Sequence, residues 1–234
     1  MVGRMRQLGK IKCLESNLAD ETSDLVILFH GYGADAYDLQ TLSDVITTKK
    51  SMNWLFPQGP IEVPIGPGWT GRAWWQIDMA AIQEAANRGL PRDLSVEYPE
   101  GLKKIRPQIF EMIEKTKIPW NRIILGGFSQ GAMLATDIYL HSDQSAKGLV
   151  LFSGALLCKN DWKPLVSKHK DRRFFLSHGT NDLVLSHTGA QRLETLLTQN
   201  GMKGKLLSFN GAHEIPMQAI SAASDYLNSL ENNS

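Results

Sequence analysis

Apolar residues in this chain fall into short unbroken runs separated by longer stretches in which they recur every third or fourth position. Runs near 10–14, 25–30, 52–56, 122–127, 148–152, 173–178 and 205–209 read as strands. Continuous apolar runs of that length fit strands buried on both faces. The intervening stretches near 36–48, 98–116, 129–141, 187–200 and 216–230 carry helical spacing, and Ala80 to Ala86 suits a further short helix. Leu102, Ile105, Ile109 and Ile113 form one apolar stripe, and Pro107 within it is expected to kink or split that helix. Strands alternating with helices predict an α/β fold, with a mainly parallel central sheet and helices on both faces. Such a sheet offers its site at the carboxyl ends of its strands.

The segment that gives this frame chemical meaning is Arg122-Ile123-Ile124-Leu125-Gly126-Gly127-Phe128-Ser129-Gln130-Gly131. It reads as a buried strand, then Gly-x-Ser-x-Gly, then a helix with a broad apolar face from Ala132 to Leu140. A serine hydroxyl is a weak nucleophile until it is held exposed beside a base, and a sharp strand-to-helix turn does that. Crowding at such a turn accounts for glycine at 127 and 131. In an α/β-hydrolase fold the acid and then the histidine follow the serine along the chain, each after a strand. Phe174–Gly179 leads into Thr180-Asn181-Asp182, and Lys205–Phe209 leads through Asn210-Gly211-Ala212 to His213. The expected catalytic set is therefore Ser129, Asp182 and His213. The imidazole takes and returns the serine proton, and the carboxylate fixes its tautomer.

Other residues compete for these roles. His178 is expected to pack at or cap its turn, His187 to open a helix and His30 to order the turn after its strand, while His141 and His169 read as solvated. Asp171 precedes its strand and would lie at the wrong end of the sheet; Asp161 falls in a loop with no strand before it. Two aimed N–H groups are needed for a developing oxyanion. The amide of Gln130, next after the nucleophile, and that of Tyr32, in the loop His30-Gly31-Tyr32-Gly33, are the expected donors. The same loop matches Gly-x-Gly-x-x-Ala, a dinucleotide fingerprint, but no Asp or Glu occurs from Val45 to Gln58, where that pattern needs an acid about 20 positions on.

These four motifs together resemble the phospholipase/carboxylesterase family: Gly126–Gly131, His30–Gly33, His178-Gly179-Thr180-Asn181-Asp182 and Gly211-Ala212-His213-Glu214-Ile215-Pro216. The resemblance runs from the strand at Leu25 to the last helix. It implies the α/β-hydrolase fold, the same catalytic trio, the same two amide donors, and action on acyl esters or thioesters with no cofactor and no metal. Tyr32 and Ala34 replace the leucine and aspartate common in eukaryotic acyl-protein thioesterases, and Ala132 replaces a glycine, so the chain looks closer to a bacterial-type carboxylesterase. A serine peptidase of the same fold and a non-catalytic ligand-binding relative are the alternative readings.

The remaining features set bounds. The 234 residues suit one α/β domain spanning 1–234, with no linker, repeat or low-complexity tract. A net charge of +1 with scattered Lys and Arg gives no electrostatic case for nucleic acid. There is no roughly 20-residue apolar stretch for a transmembrane segment, and Met1–Lys10 lacks the apolar run of a signal peptide. Cys13 and Cys158 read as free thiols of a cytoplasmic protein. His213-Glu214-Ile215-Pro216-Met217 begins like a zinc motif but lacks its second histidine. Residues 60–96 form a loop or flap excursion rich in proline, glycine and tryptophan. Trp74 and Trp75 within it are expected to line the substrate groove.

Overall fold

A computed structural model of the chain describes residues 3–16, 22–88 and 93–231. Ten strands and seven α-helices occur among them: β1 (Arg4–Leu8), β2 (Ile11–Ser16), β3 (Leu25–Phe29), α1 (Leu42–Val45), β4 (Asn53–Pro57), β5 (Ile61–Gly66), β6 (Trp69–Ala73), α2 (Met79–Asn87), α3 (Glu100–Thr116), β7 (Ile123–Phe128), α4 (Gln130–His141), β8 (Gly148–Phe152), α5 (Lys159–Val166), β9 (Phe174–Gly179), α6 (His187–Gln199), β10 (Leu206–Phe209) and α7 (Met217–Leu230). Eight strands form one sheet in the order β1-β2-β4-β3-β7-β8-β9-β10. From β4 to β10 neighbouring strands run parallel, and β1 and β2 add an antiparallel edge.

Burial follows the apolar runs. Every residue of β3, β4, β8 and β9 is buried, as helices on both faces of a parallel sheet require. One face packs against α3, α4, α5 and α6, where Leu102, Ile109, Leu134 and Ile138 join the core. The other packs against α7 through Ala219, Ala223 and Leu227. α4 is buried from its first residue through Leu140, so the segment after the Gly-x-Ser-x-Gly turn is the central helix of the fold.

Several elements differ from the sequence reading. The stretch 36–48 holds only the four-residue α1, because Asp35 Oδ1 accepts the Tyr37 N–H and sets a turn where a helix was expected to begin. α3 continues unsplit through Pro107. β1 was not anticipated: it is an edge strand whose exposed Arg4, Met5, Arg6 and Gln7 carry no core pattern. The 60–96 excursion contains an antiparallel hairpin, β5 with β6, paired from Ile61 with Ala73 to Gly66 with Trp69, and then α2. Its residues 89–92 lie outside the described residues. Asp161 sits in α5, not in a loop. His169 is not solvated; it is buried with Nε2 3.2 Å from the Leu140 carbonyl oxygen. His141 is also largely covered, between Asp137 and Asp161. No helix among the described residues is long and apolar enough to cross a membrane.

Candidate active site

The serine turn is tight because its neighbours leave no room. A Cβ on Gly131 would lie 1.9 Å from the Phe29 carbonyl oxygen, so α4 starts pressed against the end of β3. Ser129 is left at φ 55°, ψ −118°, a conformation that L-residues rarely adopt. It is held there by its own N–H, which donates to the Phe152 carbonyl at 2.9 Å, and by the helix that begins at the next residue.

The loops after β9 and β10 bring the other two side chains to the same rim. Thr180 N–H donates to Phe209 O at 2.8 Å and Asn181 N–H to Gly211 O at 2.9 Å, so the two loops are stitched together. A Cβ on Gly179 would come within 2.2 Å of Ala212 O. His213 Nε2 then lies 2.8 Å from Ser129 Oγ, and its Nδ1 lies 2.6 Å from Asp182 Oδ2. The carboxylate can only accept, so Nδ1 carries the hydrogen and Nε2 presents its lone pair to the serine. The Phe128 ring stacks obliquely on the imidazole with centroids 4.7 Å apart.

Asp182 is the most constrained of the three. Its Oδ1 accepts the N–H groups of Val184 at 2.8 Å and Leu185 at 2.9 Å. Its Oδ2 lies 2.6 Å from His213 Nδ1 and 3.1 Å from His178 Nε2. Burial alone would push this carboxyl up, but the donors from His178, His213 and the Leu185 backbone outweigh it and hold the group well below the usual carboxylate range.

The loop after β3 faces Ser129 from the other side. A Cβ on Gly31 would lie 3.5 Å from that of Ser129 and 3.2 Å from the Phe128 ring. The β5–β6 hairpin staples this loop: Gly33 N–H donates to Arg72 O at 2.8 Å, and Arg72 N–H to Ala34 O at 2.7 Å. His30 Nε2 accepts the Gly59 N–H at 2.9 Å, and Nδ1 donates to Gly31 O at 2.7 Å. Burial lowers its pKa to about 4, so it stays neutral and orders the turn. Gln130 is the first residue of α4, so its N–H has no acceptor within the helix. Its side chain has a role the sequence did not disclose. Oε1 accepts the Trp74 N–H at 3.0 Å and Nε2 donates to Trp75 O at 2.8 Å, clamping the excursion to the serine turn.

The sequence profile described as Phospholipase/Carboxylesterase matches residues 16–231. The chain belongs to the phospholipase/carboxylesterase family. Its relatives agree. Acyl-protein thioesterase 1 of Candida albicans is 29% identical over 194 residues, covering 79% of this chain and 80% of that protein. The Debaryomyces hansenii protein of the same name is 24% identical over 222 residues, covering 91% and 93%. Among solved structures, esterase PE8 superposes with a TM-score of 0.74 at 23% identity, covering 93% of this chain and 97% of that one. The Bacillus cereus carboxylesterase does so with 0.67 at 18%, covering 94% and 95%. These likenesses show the α/β-hydrolase fold.

In this family member a cavity of about 630 Å³ opens beside Ser129 and His213. Its apolar wall includes Trp75, Ile77, Ile82, Leu94, Met133 and Leu157. The two tryptophans singled out in the sequence part company here. Trp75 lines the cavity, whereas Trp74 lies beneath the loop after β3, its indole N–H donating to His30 O at 2.9 Å. Trp74 therefore braces that loop.

A second charged cluster lies outside the cavity. Asp137, His141 and Asp161 converge closely enough for a cation. Both Asp137 oxygens are already taken, however: Arg106 Nε donates to Oδ2 at 2.7 Å and Nη2 to Oδ1 at 3.0 Å, and the Trp162 indole N–H reaches Oδ1 at 3.0 Å. A metal ion there would face a guanidinium, so the cluster is read as a structural network tying α3, α4 and α5. Arg106 also donates to the Tyr98 hydroxyl at 3.0 Å, and Tyr98 lines the cavity.

Proposed function

We propose that this protein hydrolyses carboxylic esters of short to medium acyl chains through an acyl-serine intermediate, with lysophospholipids and acyl thioesters as further substrates of the same chemistry. Ser129 is the nucleophile, His213 the general base and then acid, and Asp182 the group that holds its tautomer. The amides of Tyr32 and Gln130 receive the oxyanion. The observation that carries this reading is the unbroken relay from Ser129 Oγ to His213 Nε2 at 2.8 Å and from His213 Nδ1 to Asp182 Oδ2 at 2.6 Å.

The steps balance without a cofactor. Ser129 Oγ attacks the acyl carbon as its proton passes to His213 Nε2, and the carbonyl oxygen becomes an anion facing the two amides. Collapse expels the alkoxide or thiolate, which takes the proton from His213. Water then repeats the cycle on the acyl-serine and releases the carboxylic acid. The cavity supports an acyl-binding role through its apolar wall. Among the described residues no lysine or arginine lines it, while Asp38, Asp78 and Glu97 do, which favours uncharged acyl chains over those ending in an anion. The two free, buried thiols, Cys13 and Cys158, suit a reducing, cytoplasmic setting.

Ser129→Ala tests the reading. It should abolish turnover of p-nitrophenyl acyl esters and labelling by a fluorophosphonate while leaving the thermal midpoint near that of the parent protein. A rate series from acetyl to palmitoyl, with thioester counterparts and a peptide amide, then sets the substrate class. Retained turnover in Ser129→Ala removes the serine from the mechanism.

A further inference from the structure

Asp182 is contacted by a second imidazole that the relay proposed above does not use. His178 lies near the end of β9 and is fully buried. Its Nε2 is 2.8 Å from the Leu185 carbonyl oxygen and 3.1 Å from Asp182 Oδ2. A carbonyl oxygen only accepts, so Nε2 carries the hydrogen and shares it between the carbonyl and the carboxylate. Nδ1 is then a bare lone pair, and it is buried without a partner. An unmade hydrogen bond of that kind is a net cost, and an apolar side chain of similar size would avoid it. Packing alone therefore does not account for an imidazole at this position.

We infer that His178 is a positioning residue for Asp182, holding Oδ2 toward His213 from a rigid strand while taking a share of the carboxylate's charge. This rests on the relay proposed above. The geometry divides the work. The Val184 and Leu185 amides fix Oδ1, but among the described residues the only other donor at Oδ2 is His213 Nδ1, which sits on a loop and whose ring gains and loses a charge in each cycle as Nε2 takes and returns the serine proton. A donor on β9 keeps Oδ2 in place while the ring on the loop charges and discharges. The shared hydrogen also moderates the pull of the carboxylate on the imidazolium. The ionisable groups facing this corner are His187 at the start of α6, its ring centroid 6.0 Å from that of His178, and His213 and Glu214 in the loop after β10. His187 Nε2 is 2.8 Å from Ser208 Oγ, and Glu194 on the same helix acts on it electrostatically.

The test is the pH profile of kcat and kcat/KM on one p-nitrophenyl ester for His178→Leu, His178→Asn and His178→Gln, with Asp182→Asn alongside. Leucine removes the donor, and asparagine places its amide where Nδ1 stood, out of reach of Oδ2. Both should lower kcat by roughly tenfold or more with KM nearly unchanged. Both should also move the acidic limb of kcat/KM upward by about one unit, because the imidazolium then has the carboxylate to itself. Glutamine, with an N–H near the Nε2 position, should restore most of kcat. If His178→Leu does not fold, the asparagine and glutamine variants still decide. A parental kcat and an unshifted limb in the variants lacking the donor, or a glutamine variant as impaired as the asparagine one, overturns the inference. If Asp182→Asn itself stays active, the relay fails and the positioning role falls with it.

Discussion

Asp182→Asn removes one charge and almost no volume, and the surrounding donors dictate how the new amide must sit. Its carbonyl oxygen has to occupy the Oδ1 place, because two backbone N–H groups, from Val184 and Leu185, point there at 2.8 and 2.9 Å. Reversing the amide would set its NH2 against both, leaving the buried Leu185 N–H unmade at about 1–3 kcal/mol and the part-buried Val184 N–H as well, whereas in the first orientation His178 Nε2 turns from Oδ2 but keeps the Leu185 carbonyl. The NH2 group therefore faces His213 Nδ1 and must donate to it. The imidazole then shifts its hydrogen to Nε2, 2.8 Å from Ser129 Oγ, where a lone pair is required. The serine proton has nowhere to go. A relay locked in this tautomer should lose about 10⁴ in kcat, or about 5 kcal/mol of transition-state stabilisation. KM should change little, since Asp182 is not among the residues lining the cavity. Steady-state kinetics on a p-nitrophenyl ester measure this directly, with a thermal melt to show that the variant is folded. A loss of less than tenfold in a folded variant would mean that the carboxylate does not set the tautomer, and the mechanism above would be wrong.

Two further outcomes follow from packing and charge. Arg106→Met leaves Asp137, whose side chain is 0% exposed, without its bidentate partner and should cost about 3–5 kcal/mol in a urea titration. His141 modulates that loss. Burial alone would lower its pKa, but the hydrogen bond and charge of Asp137 outweigh it and raise the value. A raised folded-state pKa gives stability that is complete below the unfolded value of about 6.5 and fades as pH rises through the folded one. The variant should therefore be weaker at pH 8.5 than at pH 6, and equal stability at the two would refute this account of the network. Gly131→Ala forces a Cβ to 1.9 Å from a backbone oxygen that cannot step aside, so it should destabilise by about 4 kcal/mol or more and abolish ester turnover. A parental melting temperature would show that the turn has slack.

The parts of the fold legible in the sequence are those where a local pattern has one physical meaning. Ile123-Ile124-Leu125 before Gly-x-Ser-x-Gly reads as a buried strand ending in a crowded turn, and the structure places β7 and α4 on either side of it. Asp182 and His213 stood out as candidates because each follows a short apolar run, and those runs are β9 and β10, whose exits bring the two side chains together beside Ser129. What escaped depends on partners far away in the chain. β1 shows four exposed residues out of five, so its pairing with β2 leaves no apolar signature. β5 and β6 meet around Pro64 and Gly66–Gly68, which read as loop until the hairpin finds the loop after β3 to grip. His169 lies in a polar stretch yet is buried, because the end of α4 offers it the Leu140 carbonyl.

Side-chain direction was the other hidden variable. Trp74 and Trp75 are adjacent and chemically identical, and what separates them is the clamp from Gln130 together with the Trp74 contacts to Phe29 and His30. With the Trp74 N–H and the Trp75 carbonyl both held by that one amide, the segment cannot rotate. Trp74 turns inward to His30, and Trp75 turns to the cavity wall. Gln130 thus has a job beyond the backbone one proposed for it: its side chain fixes the cavity wall. A Gly-x-Ser-x-Gly pattern leaves that position open, so the pattern points to a candidate nucleophile but carries no information about the shape of the pocket beside it.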